Sequence, residues 1–436
     1  MNTRVATITV AHPNMEVPEM NDPAGSTADV ATDFHLDAPS FARNFDEVVS
    51  DLHARCPVVH SEGQGGYWVA AGFDDVRDIA QNWEVWTTTH GYEPNREVTD
   101  ADRLIPLEVD PPYQTRWRSK LGPHFSPRAI RSCQPKIREM AHELVDAFVE
   151  NGSCEFIDEY AAKLPGTVFF GALLGVPLQD LPYLHKAADS AVRGPKEDQP
   201  AEWGKLAAYL DGYLREREKS EPRGDFVDAV LEGVDGEDGL PVTWADKVMV
   251  MVDLLSGGLA TTTYLLAGVA QFLATDPTAR RRLQNDPALH EGAVEEFARI
   301  YASILAIGRT ASRDTEIAGQ PIKKGEMVML SWAAAARDPH QFSNPNEIDI
   351  DRKIPMNIAF GSGPHRCIGI HLARLQALTT LEVLLERIPD LSLGEGDAPT
   401  MTHSLITRDM DRLSLRFTPG SRHHEAAEVL DQHNPF

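Results

Sequence analysis

From Phe360 to Gly369 the chain reads Phe-Gly-Ser-Gly-Pro-His-Arg-Cys-Ile-Gly, and a helical pattern follows without a break from Ile370 to Ile388. Gly361, Gly363, Gly369 and Pro364 make a compact, irregular loop where backbone can approach a ligand closely. Cys367 sits where that loop turns into the helix. A thiolate there would gain from the helix's positive end and from His365 and Arg366. Three readings compete. A cysteine is commonly a small buried hydrophobe. Cys367 and His371 lie four apart and could share a helix face as zinc ligands, but two ligands do not close a tetrahedral site. A lone soft thiolate on a shaped loop suits haem iron better than zinc.

A chain of 436 residues allows about two to four domains at ~150 residues each. No linker, repeat or low-complexity tract divides it after residue 30, so one large domain over 36–420 is expected, between a mobile arm at 1–35 and a polar tail at 421–436. Forty-one basic against 66 acidic residues give a net charge of −25, which argues against general nucleic-acid binding and for solubility. Four cysteines (Cys56, Cys133, Cys154, Cys367) are no disulfide framework and point to a reducing cytosol. No apolar run looks close to the ~20 residues of a membrane span, and no signal pattern opens the chain, so no membrane anchor is expected.

Along the chain, a helix is expected from Phe45 to Ala54, hairpin strands at 58–60 and 67–70, and a helix from Asp74 to Gln81. Trp86 to Asp100 reads as a polar, irregular loop of functional length. Helices then dominate, at 127–150, 156–174, 178–192, 203–218, 226–231, 277–283 and 289–301. The run from Thr243 to Ala274 is apolar nearly all round and should be central. Short strands fit 316–317, 328–330 and 413–417. The fold class is therefore mainly α, a large helical domain with small β-sheets to one side.

The pattern Phe360-x-x-Gly363-x-His365-x-Cys367-x-Gly369 resembles the haem-binding signature of the cytochrome P-450 superfamily, the haem-thiolate monooxygenases. Other segments resemble that family in the right order from about residue 40 to 418. Gly257-Gly258-Leu259-Ala260-Thr261-Thr262 resembles its oxygen-binding groove. Two glycines inside a helix cost about 1 kcal/mol each relative to alanine, so close helix packing or a ligand must need the space. Thr261 takes the place of the family's proton-relaying threonine, but Ala260 stands where members usually carry an acid. Water, Thr262 or the substrate would have to serve instead. Glu296-x-x-Arg299 occupies the position of the family's structural pair, with 336–339 as its partner segment. Arg118 and Arg309 match propionate-binding arginines, His365 is a third candidate, and Gln114 stands where many members have His.

Gly-x-x-x-x-Gly-Lys loops, Gly-x-Ser-x-Gly elbows and dinucleotide fingerprints are missing from the sequence. His423 and His424 could bind metal weakly but read better as a solvated tail. The resemblance implies haem b with Cys367 as axial thiolate, O2 as co-substrate, and a cytoplasmic, monomeric, bacterial-type enzyme. Electrons would come from NAD(P)H through a ferredoxin and its reductase. Arg116, Lys120, Arg128, Arg131 and Arg366 are candidates for a basic face docking that donor. Pocket walls are expected from 86–107, 184–203, 255–261, 304–307 and 405–406, largely apolar, for a small or medium hydrophobic compound such as a terpenoid or aromatic. A peroxide-driven enzyme and a non-catalytic haem sensor or carrier are the alternatives.

Overall fold

The computed structural model describes residues 35, 36, 38, 41 and 44–423, apart from 101, 196 and 395–398. All of the arm expected at 1–35 but its last residue, and most of the tail, fall outside these residues. Arg422 and His423 begin the tail, and both are tied down on the Gln134–Asp146 helix and its end, by an ion pair to Glu150 and a backbone N–H to Asp146.

A five-stranded sheet runs in the order Val58–Ser61, Tyr67–Ala70, Met327–Leu330, Ile307–Ala311, Trp86–Thr87. Only the pairing of Tyr67–Ala70 with Met327–Leu330 is parallel. Its side chains alternate between two cores, as the pleat requires. Val58, Ala70, Val328, Leu330 and Ala311 face Phe73, Val76 and Trp332. Val59, Val69 and Met329 face Phe45, Val49 and Leu52 of the Phe45–Arg55 helix. Ile307–Ala311 was not anticipated, since its Gly308 and Arg309 break the apolar alternation.

The helical body differs from expectation where the backbone lacks a partner. The helix expected at 127–150 divides at Cys133 into Pro127–Ser132 and Gln134–Asp146. The helix expected at 156–174 is a Lys163–Thr167 turn between two wide π turns, Ile157–Ala161 and Val168–Leu174. Pro165 has no N–H for the regular ladder there.

The central run starts on a reciprocal cap. Asp246 N–H donates to Thr243 Oγ1 at 3.1 Å and Thr243 N–H to Asp246 Oδ2 at 2.9 Å. It then splits into Trp244–Gly258 and Ala260–Thr275 at Leu259, whose ψ of −80° leaves the helical range. Contrary to the expectation from sequence, 244–275 is long and apolar enough to cross a membrane, with a mean hydropathy of 1.4 over its most apolar window. Its second half is instead buried in the core, packed against the Ile370–Arg387 helix. Gly268 and Gly257, both in this run, do different work. A Cβ on Gly268 would lie 2.2 Å from the Tyr301 ring, whereas one on Gly257 or Gly258 would meet no atom within 4 Å.

Behind the cysteine loop, Glu296 and Arg299 on the His290–Ile300 helix are both wholly buried. Arg299 forks onto Glu296 at 2.6 and 2.7 Å and spends its remaining N–H groups on the carbonyls of Ala336, Pro345 and Glu347. Arg352 and the Asp349 N–H add to Glu296 at 3.0 and 2.9 Å. Burial alone would raise the Glu296 carboxyl; Arg299, the Asp349 N–H and Arg352 reverse this and hold it below its ordinary value.

Glu296→Ala, which strands Arg299, should cost about 3–5 kcal/mol in urea unfolding. Gly268→Ala should cost ~1–3 kcal/mol by overpacking. Gly257→Ala should leave the haem-free protein as stable or more so, by up to about 1 kcal/mol. Equal destabilisation by the two glycine variants would show that Gly257 is also a packing residue.

Candidate active site

A cavity of about 430 Å³ lies between the Cys367 loop, the Leu259 break and the strand that carries Arg309. The loop is set by close backbone approach. Gly361 and Gly363 take left-handed φ values of 74° and 68°. A Cβ on Gly363 would stand 2.3 Å from the Ala80 carbonyl, and Gln81 Nε2 donates to Ser362 Oγ at 3.0 Å. The loop is thus pressed onto the Phe73–Gln81 helix. Gly363 therefore serves packing and does not line the cavity, while Phe360 and Gly369 do.

Cys367 N–H donates to the Phe360 carbonyl at 2.8 Å, which turns Sγ to the cavity. The thiol is open to that space yet surrounded by protein. Burial pushes it above its ordinary pKa, and the Gly369 N–H, Arg118, Arg366 and Arg374 pull back. The thiolate expected from sequence is therefore not the resting form without a metal. His365 does not help: burial, Arg309 and Arg118 keep it neutral. Cys56, Cys133 and Cys154 lie away from the cavity. The zinc reading finds no third ligand. Among the described residues the one three-ligand grouping is His142, Glu386 and His423, where Arg138 already holds Glu386 at 2.7 Å and Arg387 contacts His142.

Cationic and polar groups collect at the cavity, none of them ion-paired among the described residues. Arg309 is buried in mid-strand, donates to the Gly308 carbonyl, and forms no ion pair among the described residues. Burial lowers its pKa to about 10 despite Asp110, which Thr87 and Thr88 hold. Arg118 donates to the Arg366 carbonyl at 2.5 Å, and burial lowers it too. His365 Nε2 is buried with no partner. All three line the cavity. Gln114 does not: its amide donates to the Pro364 carbonyl at 2.5 Å, so it braces the cysteine loop instead of facing a cofactor.

At the helix break, Thr261 Oγ1 donates to the Gly257 carbonyl at 2.7 Å. Gly257, Gly258, Ala260, Thr261 and Thr262 all line the cavity. The open space beside both glycines answers the packing alternative: protein does not fill it. Pocket walls come from Leu104, Leu107, Ile304, Ile307 and Ile406 as expected, but not from 184–203; Phe125, Pro165, Phe169 and Leu173 stand there instead. Tyr92, within the expected 86–107 segment, also lines the wall, whereas sequence reading missed Asp253. Asp253 left a signal, as the one acid of the apolar 244–275 run beyond its capping first turn.

The proposed basic face is only partly free. Arg116 is spent on the Asp235 and Gly236 carbonyls and Lys120 on Glu232, while Arg128, Arg131 and Arg366 remain exposed.

These residues fit haem. A soft thiol faces a cavity whose unpaired Arg309, Arg118 and orphaned His365 Nε2 suit two carboxylates, and two bare glycines leave room for a flat ring. The family model for cytochrome P-450 matches residues 196–405. The chain is 31% identical to the vitamin D(3) 25-hydroxylase of Pseudonocardia autotrophica, over 82% of this chain and 89% of that one. It is 35% identical to the mycinamicin IV hydroxylase/epoxidase of Micromonospora griseorubida, over 75% and 83%. The crystal structure of CYP101C1 superposes with a TM-score of 0.81 at 27% identity, over 91% of this chain and 99% of that one. A cysteine facing the cavity, an anion-hungry rim and this likeness along most of the chain converge: the chain belongs to the cytochrome P-450 family of monooxygenases, which bind haem iron through a cysteine thiolate.

Proposed function

We propose that the protein inserts one oxygen atom of O2 into a small or medium hydrophobic compound, a terpenoid or an aromatic. The observation that carries this reading is one largely apolar cavity bounded by both the Cys367 thiol and the Gly257–Thr261 break. Haem, when bound, supplies dioxygen activation at its iron, and a thiolate ligand favours cleavage of the O–O bond. Cys367 would be that ligand, its thiol, raised in pKa by burial, giving up its proton to the charge of a bound metal. Arg118, Arg309 and His365 hold the propionates. Phe360 and Gly369 border the thiolate side.

Thr261 is positioned to hold and pass a proton. Its hydroxyl donates to the Gly257 carbonyl and its lone pairs stay free to accept from water or substrate. Ala260 contributes no carboxyl, so the next donor is a water on Thr261 or a group of the substrate. Thr262 is buried beside it and can take part only through the cavity. Leu104, Leu107, Phe125, Phe169 and Ile304 give the substrate an apolar bed.

Electrons come from NAD(P)H through a reductase and a ferredoxin docking on the face of Arg128, Arg131 and Arg366. We read residues 36–420 as one haem domain, monomeric and cytoplasmic; the net charge of −25 and the bacterial relatives support this. A peroxide-driven cycle is the second reading, and Ala260 at the usual acid position favours it.

Turnover should require ferredoxin, reductase, NAD(P)H and O2. Product formed with peroxide alone, and none with the donor proteins, would replace the first reading by the second. Binding without any oxidation across terpenoid and aromatic libraries would favour a sensor. Cys367→Ala should abolish the red-shifted absorption band of the reduced, CO-bound protein; its retention would remove Cys367 as the iron ligand.

A further inference from the structure

Asp253 is the acid that neither the haem site nor the proton path uses. It sits on the Trp244–Gly258 helix in the sequence Val252-Asp253-Leu254-Leu255, and it lines the cavity. Asp253 and Gly257 lie four apart on one face of the Trp244–Gly258 helix, and Thr261 lines the same cavity just past the Leu259 break. At the helical rise on either side of that break, the eight residues from Asp253 to Thr261 span ~12 Å.

Its surroundings leave the carboxyl short of partners. The Leu107 N–H donates to it, and no salt bridge reaches it among the described residues. The neighbouring buried acid is treated differently: Glu108 is gripped by Arg96 and takes the Leu104 N–H at 2.9 Å. Arg118, the cation whose field reaches Asp253, donates to the Arg366 carbonyl and, on the proposed reading, would hold a haem propionate. A half-buried carboxyl that opens onto an apolar cavity with lone pairs to spare is costly unless a charged donor meets it.

We propose that Asp253 is a specificity-determining residue that receives the ammonium group of an amine-bearing hydrophobic substrate, holding its far end roughly 12 Å from Thr261. This rests on the reading of the cavity as a site for hydrophobic substrates and adds the polar handle those substrates carry. A neutral hydroxyl would be served equally by an asparagine; an ammonium needs the charge and cancels it in the same contact. Charged and titratable groups facing Asp253 are Glu108, Arg118 and Tyr92. Burial first, and Glu108 second, raise the Asp253 pKa to about 7, while burial keeps the Tyr92 phenol neutral. The carboxylate that receives the amine is therefore present above that value and lost as the pH falls through it.

The test uses holoenzyme and cyclohexylbutane carrying a terminal dimethylamino group, a terminal hydroxyl or neither, with affinities read by calorimetry and by the haem absorption shift. The amine should bind wild type about tenfold more tightly than the hydrocarbon at roughly pH 8, with that advantage gone near pH 6. Asp253→Asn and Asp253→Leu should reduce it to within about twofold, and Asp253→Leu should keep or improve hydrocarbon binding. Equal binding of amine and hydrocarbon to wild type, an advantage unchanged in both variants, or a spectrum showing nitrogen on the iron would each overturn the anchor alone. Failure of all three compounds to bind would overturn the hydrophobic-pocket reading and the anchor with it.

Discussion

Arg299 is a full positive charge with no access to water, and much of the cysteine side of the molecule is arranged to satisfy it. Its fork onto Glu296 fixes both side chains on one helix, and three further N–H···O bonds reach carbonyls between residues 336 and 347. That segment has little regular structure, so its own backbone ladder cannot hold it. The guanidinium does so instead. Glu295, next to Glu296, extends the same device by holding Arg374 and Asn357, which lie on either side of the cysteine loop. The loop is therefore positioned by the partly buried Glu295 pairings from the His290–Ile300 helix and by direct backbone contact at Gly363 from the Phe73–Gln81 helix. A thiol held from two directions can face a cavity without a metal to organise it.

The cavity is built by what is withheld. Arg309 and His365 are buried as though a partner were present, and no protein carboxylate completes them among the described residues. Gly257 and Gly258 leave helix surface bare where every other residue would add bulk. Each omission costs stability, by lost helix propensity or by desolvation without compensation. Their coincidence around one space is harder to explain by packing than any of them singly. Gly268, in the same helical run and filled to contact by Tyr301, shows what a packing glycine looks like in this protein.

Local chemistry made part of this legible. The cysteine loop, the paired glycines and the Glu296-x-x-Arg299 spacing are short-range patterns, and the residues they mark meet in space. Alternation was enough for the Val58–Ser61 and Tyr67–Ala70 hairpin. What escaped depends on distant partners. Ile307–Ala311 is a strand because Met327–Leu330 pairs with it, although Gly308 and a buried Arg309 spoil its pattern. Gln114 looked like a cofactor ligand by position, but the nearness of Pro364 decides its partner. The far wall is expected from 184–203, yet the π turns around Pro165 bring Phe169 and Leu173 to the cavity first. The hydropathy of 244–275 shows the same limit, since a buried core helix and a membrane span meet one compositional test.

Ala260 and Asp253 are best understood together. A carboxyl beside Thr261 would be a proton source close to bound oxygen; here that position is apolar, and the helix's cavity-facing acid lies two turns earlier. Twelve or so ångströms is too far for direct proton transfer to the same atom, which in general needs hydrogen-bond reach or a single bridging water. The two sites therefore cannot exchange roles by a rotamer change. An acid at that distance can act on the substrate's remote end, where binding free energy orients the reacting carbon. With the nearby acid absent, proton delivery on the proposed reading would rest on Thr261 and on water admitted beside a correctly held substrate. Orientation and protonation would then be coupled through the fit of one molecule between Asp253 and the Leu259 break.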